Sequence, residues 1–179
     1  IQKLVGEHTL RATDRSGAGC IPAPAAATDD GVGYGFLSAD QNGRCMTVYV
    51  VATDHVDSSA RLCDYLIDRV GDGDVVHAVN SLPGGEATDT RDVRDGEEAL
   101  NVIFSRLGGF TTVETHQFVR DNEPHEDVLQ QASEVDADEL VIGIRQRSPT
   151  SKIVFGSTAQ RILRRVDRPV VAVPLSDDE

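Results

Sequence analysis

A chain of 179 residues with 39% hydrophobic content has material for one packed domain of ordinary size. Thirty Asp and Glu against seventeen Lys and Arg leave a formal charge of −13, and nucleic acid and anionic membrane repel a surface of that sign unless a basic patch is concentrated locally. No run approaches the roughly 18 apolar residues of a membrane span and no basic start leads into an apolar block, so a soluble, cytoplasmic protein is expected.

Residues 1–45 come first in chain order and read as a loosely ordered tail or a non-native extension. They contain Pro22-Ala-Pro-Ala-Ala-Ala27 and Gly31-Val-Gly-Tyr-Gly35, and no apolar period lasts in them. The spacing of Gly31, Gly33 and Gly35 lacks the preceding strand and following helix that a dinucleotide fingerprint needs. This segment holds four cations and five acids, whereas residues 46–179 hold thirteen and twenty-five, so the acidic bias begins at Met46. At about 1 M salt the Debye length falls to about 3 Å and such self-repulsion is largely screened, which suits a salt-rich cytoplasm. Cys20, Cys45 and Cys63 lie far apart without C-x-x-C spacing and read as free thiols.

From Met46 strand and helix alternate. Thr47 to Thr53 is a short apolar strand ending at Asp54. Asp57-Ser58-Ser59 then offers caps for a helix with Cys63, Leu66, Ile67 and Val70 on one face. Gly71-Asp-Gly73 stops it before a second strand, Val75 to Val79. A polar segment around Pro83-Gly84-Gly85 leads to a helix with Leu100, Ile103, Phe104 and Leu107 on one side, closed by Gly108-Gly109. Thr111 to Val119 is β-rich. Asn122-Glu-Pro124 supplies an N-cap and an early-turn proline for a helix carrying Val128, Leu129, Ala132 and Val135. Leu140 to Ile142 is a fourth strand, a helix starting near Ser157 carries Ala159, Ile162, Leu163 and Val166, and Val170 to Val173 is a fifth strand. The class is α/β: a doubly wound five-stranded parallel sheet with helices on both faces, Rossmann-like. The domain spans residues 46–175, followed by an acidic tail at 176–179.

In such sheets ligands bind beyond the carboxyl ends of the strands, where the strand order reverses. Thirteen residues separate Ile142 from Gly156, long for a strand-to-helix connection, which is usually about 2–6 residues. Arg145, Arg147, Lys152 and Arg161 occur in and beside this loop with no acid between them. Gly143 permits a positive φ or a close approach to a ligand, and Gly156-Ser157-Thr158 opens a helix whose first N–H groups suit an anion. The same residues also read as an ordinary cap and hinge beside cations that balance nearby acids.

The stretch Gly143-Ile-Arg-Gln146, nine further residues and then Gly156-Ser157 resembles the G-x2-G-x9-G-[ST] nucleotide pattern of the universal stress protein family, specifically its halophilic archaeal members. Gln146 stands where that pattern has its second glycine. The likeness runs from Met46 to about Leu175 and includes VVATD, VVHAV and RPVVAVP. It implies ATP as ligand, with magnesium as a candidate companion ion, and a homodimer through the last strand. It carries adenine and ribose contacts onto Ala52, Thr53 and Asp54, a second-strand contact onto Ala78, and the phosphate loop onto Ile142, Gly143, Gly156, Ser157 and Thr158. Arg145 and Gln146 are candidate phosphate partners, through charge and through an amide hydrogen bond.

Asp54 at a strand's carboxyl end can accept from a ribose hydroxyl or a base amine, or can assist the helix starting at Asp57. His55, His77, His116 and His125 form no recognisable catalytic or H-x3-H spacing and read as structural, so no metal ligand is assigned. Arg161, Arg164, Arg165 and Arg168 are read as complementing the last helix's dipole.

Two functions follow from these expectations. One is an adenine-nucleotide-binding regulatory module of the stress response, acting as a homodimer with a protein partner that the sequence does not name. The other is a nucleotide-free dimeric interaction module of the same fold, with Gln146 marking loss of the site. No catalytic residue is assigned, because no water-activating base is placed and no S-G-G-x-D-S or H-I-G-H stretch is present; any ATP hydrolysis is expected to be slow and incidental.

Overall fold

The computed structural model describes residues 46–145 and 155–175. Their elements run β1 (Val48–Ala52), α1 (Val56–Leu66), β2 (Val75–Pro83), a short 3-10 turn (Gly85–Ala87), α2 (Thr90–Leu107), β3 (Thr112–Arg120), α3 (Pro124–Glu134), β4 (Glu139–Arg145), α4 (Ser157–Arg165) and β5 (Val170–Leu175). The five strands are parallel in the order β3-β2-β1-β4-β5. The order reverses between β1 and β4, as expected of a doubly wound α/β sheet. The expected tail at 1–45, the residues at 146–154 including Gln146, Arg147 and Lys152, and the acidic end at 176–179 lie outside the described residues.

Strand alternation divides the core into two layers. Tyr49, Val51, Val76, Ala78 and Val141 face Leu62, Leu66, Leu100, Ile103 and Leu107 of α1 and α2. Val48, Val50, Val79, Leu140, Ile142 and Ile144 face Val128, Ala132, Ala159 and Ile162 of α3 and α4. Acids tie strand starts to loops: the buried Asp74 accepts from the backbone N–H groups of Thr47 and Gly71 at 2.9 Å each, and the exposed Asp138 accepts from that of Val48 at 2.8 Å. Among the described residues no helix is long and apolar enough to cross a membrane.

Several local expectations shift. In α1 the buried face is Ser58, Ser59, Leu62, Cys63 and Leu66, whereas Ile67 is the exposed C-cap and Val70 lies beyond the helix. Phe104 of α2 points to solvent at 55% exposure, because Gly96, Ala99, Leu100, Ile103 and Leu107 take the buried arc. That helix starts from Asp89, whose carboxylate accepts from Arg91 and Asp92 N–H groups while Asp92 reaches back, a complete capping box. The N-cap of α3 is Glu123 rather than Asn122, whose amide instead donates to Asp127 at 2.9 Å. Arg168 lies after α4 and donates to the Ala132 and Ala137 carbonyls at 2.7 and 2.9 Å, so it holds the end of α3. Arg161 pairs with Glu123, and Arg165 contacts His125 at 2.8 Å and Glu126 at 3.6 Å, so these arginines join α4 to α3.

Candidate functional site

A cleft of about 450 Å³ opens at the carboxyl ends of β1 and β4, where the strand order reverses. Its volume falls in the range of about 300–1,000 Å³ usual for small-molecule sites. The floor is Ala52, Thr53, Val79 and Ile142; Pro124, Val128 and Ile162 make an apolar wall; Ser157, Thr158 and Ala159 bring in the first turn of α4.

The β1 end is fixed from below. The Thr53 backbone N–H donates to the Val79 carbonyl at 2.9 Å, and its own carbonyl accepts from the buried Asn80 amide at 3.0 Å. Its hydroxyl lies 2.7 Å from that of Ser59, which donates to the Ala99 carbonyl at 2.7 Å, so the Thr53 hydroxyl is the donor within that pair. The next residue reaches the mouth. Asp54 accepts from the Ser58 hydroxyl at 2.7 Å through Oδ1 and from Arg145 Nη2 at 2.9 Å through Oδ2. Both charged side chains are about half exposed, which limits this pair to at most about 1 kcal/mol. Arg145 is therefore held beside the β1 end, across the line between β1 and β4.

The opposite end of the cleft is the start of α4. Gly156 is its N-cap with φ −59°, and among the described residues no side chain caps the helix. A Cβ built on Gly156 meets none of the described residues within 4 Å. An uncapped first turn leaves N–H donors and the positive end of the helix dipole at the cleft wall.

Deeper in, Ser81 joins the cleft to a buried carboxylate. Its hydroxyl donates to Asp127 Oδ2 at 2.6 Å, and Asp127 Oδ1 accepts from Arg120 Nε at 2.7 Å and Asn122 Nδ2 at 2.9 Å. Burial alone raises this carboxyl, yet the hydrogen bonds from Ser81, Asn122 and Arg120 together hold it below its ordinary value. Asp127 is fully buried, so the network anchors α3 to the ends of β2 and β3.

Of the expected site residues, Ala52, Thr53, Asp54, Ile142, Gly143, Arg145, Gly156, Ser157 and Thr158 all line the cleft. Ala78 does not: its side chain is buried under α2, and Val79 takes the cleft position, because one step along a strand reverses the face. Of the two uses expected of Gly143, its place in the cleft lining leaves the close approach to a ligand. Its φ is not positive, and a Cβ there would lie 2.7 Å from Leu175 Cδ1, so its small size admits the Leu175 side chain that forms part of the wall. Ser58, Ser81, Phe155 and Leu175 also line the cleft without having been singled out as site residues.

The model of the Universal stress protein family matches residues 47–174 of this chain. The structure of a universal stress protein from Archaeoglobus fulgidus is similar with a TM-score of 0.60 and 36% identity, covering 72% of this chain and 98% of that one. A second structure, of the universal stress protein from Archaeoglobus fulgidus in complex with dAMP, gives a TM-score of 0.55 and 31% identity, with 72% and 97% covered. A Universal stress protein of Mycolicibacterium smegmatis is 34% identical over 90 residues, which is 44% of this chain and 68% of the relative.

Proposed function

Because the chain belongs to the universal stress protein family, we propose that it is an adenine-nucleotide-binding regulatory module of the stress response that takes ATP in the cleft between β1 and β4. The observation that carries this reading is the α4 N-terminus. Among the described residues it has no side-chain cap and nothing within 4 Å of a Cβ at Gly156, and it opens into the same cleft as the β1 carboxylate. Phosphate oxygens would accept from its first-turn N–H groups and from the hydroxyls of Ser157 and Thr158. The dAMP complex of a relative 31% identical supports an adenine nucleotide as the class of ligand.

Residue roles follow from position. Ala52, Val79, Val128 and Ile142 offer the apolar surface a purine base needs, and Asp54 has lone pairs left for a ribose hydroxyl beside those already used by Ser58 and Arg145. Arg145 can keep Asp54 or turn to a phosphate, and the exposed pair is weak enough to exchange. A nucleotide would thus replace a protein ion pair by its own charge, which is the differential contact a ligand-controlled regulator requires.

Isothermal titration at molar KCl, with and without magnesium, tests this. ATP should bind, and at a hundred times its Kd should stabilise the fold by about 2.7 kcal/mol. Ser157→Ala should lose roughly 0.5–1.5 kcal/mol of binding. Arg145→Ala should weaken ATP more than adenosine, and Asp54→Ala should weaken both. Absence of any ATP response in the unmodified chain hands the assignment to the nucleotide-free dimeric interaction module.

The proposal extends to assembly and setting. β5 is an edge strand with half-buried Val170, Val171 and Ala172, and an edge of that kind suits pairing with a second copy. Val171 also packs on the core beside α1, so Val171→Lys would disturb the fold; sedimentation of the unmodified chain is the cleaner measurement, and a monomer at molar salt removes the dimer. We propose a halophilic, cytoplasmic setting; the charge of −13 favours the halophilic part, and a Tm that rises from low to molar KCl would support it. A chain starting at Met46 should melt like the full one.

A further inference from the structure

Away from the cleft, on the side of the sheet that packs against α3, three ligand-type side chains from β2 and β3 converge. His77 is the register partner of Glu114, and Val79 that of His116, so residues 77, 114 and 116 stand on one face. His77 Nδ1 lies 3.1 Å from His116 Nε2 and 3.4 Å from Glu114 Oε2, and the third side of the triangle, His116 Nε2 to Glu114 Oε2, is 4.0 Å.

We propose that His77, Glu114 and His116 form a binding site for one divalent transition-metal ion of the zinc type, with water completing a four-coordinate shell. A tetrahedral zinc with bonds of about 2.0–2.1 Å holds its ligand atoms about 3.3–3.4 Å apart. The three separations here straddle that value, so closing the triangle on an ion needs side-chain shifts of only a fraction of an ångström. A His–His hydrogen bond explains the 3.1 Å contact alone; it gives no reason for a carboxylate oxygen within reach of both ring nitrogens.

The surroundings suit a cation. The His77 side chain is buried and that of His116 largely so, both beside the Glu114 carboxylate, and a neutral imidazole offers a ring lone pair to a metal. Glu114 supplies one negative charge and Glu134 of α3 adds another close enough to act on His116. β3 is an edge strand and the Glu114 side chain is 54% exposed, which gives an ion an entry path and leaves a coordination position for water. Two imidazoles select zinc, cobalt or nickel over magnesium or calcium. The site is therefore distinct from any magnesium that accompanies ATP, and the ion would pin the edge strand β3 to β2.

The test uses the full chain, stripped with a chelator, dialysed, and titrated with zinc chloride in the absence of nucleotide. One saturable zinc per chain with a raised Tm is the expected result, and magnesium should give neither. Loss of a direct ligand in Glu114→Gln or His116→Asn should weaken zinc by more than the roughly 10–100-fold that loss of an outer-shell partner costs. Because Glu114 and His116 are partly exposed, their metal-free Tm values should stay near that of the unmodified chain, and Co²⁺ should show the visible bands of a four-coordinate ion only in the unmodified protein. No saturable zinc binding, or binding that both variants retain, overturns the proposal, whatever the outcome with ATP.

Discussion

A glycine in the middle of a helix is ordinarily a weakness, and replacing it with alanine should stabilise by about 0.8–1.0 kcal/mol. Gly96 in α2 should do the reverse. A Cβ there would lie 2.2 Å from Asn80 Oδ1 and 2.6 Å from Gln117 Nε2. Neither atom is free to retreat: Asn80 is fully buried and donates to the Thr53 carbonyl, and Gln117 donates to the Val93 carbonyl at 2.7 Å. Overpacking of this kind costs about 1–3 kcal/mol, and loss of the 3.3 Å Gln117–Asn80 contact costs about 1 kcal/mol more. Set against the propensity gain, Gly96→Ala should destabilise by roughly 1–3 kcal/mol. For a chain of 150–250 residues that corresponds to a fall in Tm of about 2–4 °C for each kcal/mol. Urea denaturation is the assay, with Gly109→Ala as control, since a Cβ at Gly109 meets nothing within 4 Å. Because Asn80 also holds Thr53 at the cleft floor, Gly96→Ala should weaken ATP as well. A variant as stable as the parent, or more so, would show that Asn80 and Gln117 relax freely and would refute the packing argument.

Three further outcomes are expected. Asp127→Asn should lose roughly 1.5–3 kcal/mol at neutral pH, as hydrogen bonds to a charged group do. The Asp127 carboxyl is held below its ordinary value, so its contribution is present above about 3.8 and is lost as pH falls through the lower folded value; the variant should show a shallower acid limb in urea midpoints. His77 and His116 are both lowered from 6.5, by burial first, so the unfolded chain takes up protons earlier and metal-free stability should decline as pH drops through that value; a flat profile there contradicts their burial. Cys63 is buried and its thiol is pushed up to about 11, mainly by desolvation, so iodoacetamide mapping should find it unmodified until the chain unfolds.

The fold was legible because its signals are local. Short β-rich runs alternating with amphipathic segments dictate a parallel sheet, and the apolar positions on α3, with Val128 and Ala132, needed no tertiary knowledge. Where the spacing misplaced a face, a single angular step decided it. Ile67 and Phe104 sit about 100° from positions that are buried, and the sequence cannot tell which arc of a broad apolar stripe meets the sheet. The apolar run ends at Val79, yet β2 continues to Pro83; Asn80 and Ser81 are strand residues whose side chains have partners outside that strand, Thr53 and Asp127.

The candidate site divides along the same line. Its backbone parts, the end of β1 and the start of α4, are consecutive residues whose chemistry shows in a short motif. Its walls are not, for Leu175 reaches the cleft only because Gly143, on the neighbouring strand, has no side chain to exclude it. The triangle of His77, Glu114 and His116 shows the limit most clearly. Glu114-Thr-His116 puts two ligand types on one face of a strand, a pattern visible in the sequence, but nothing local says that β3 lies beside β2 in a register that sets His77 opposite Glu114. That register is fixed by nine residue pairs along the strands and by α2 packing over both. A site assembled across strands is thus a consequence of sheet order, and it becomes readable only when the order β3-β2-β1-β4-β5 is known.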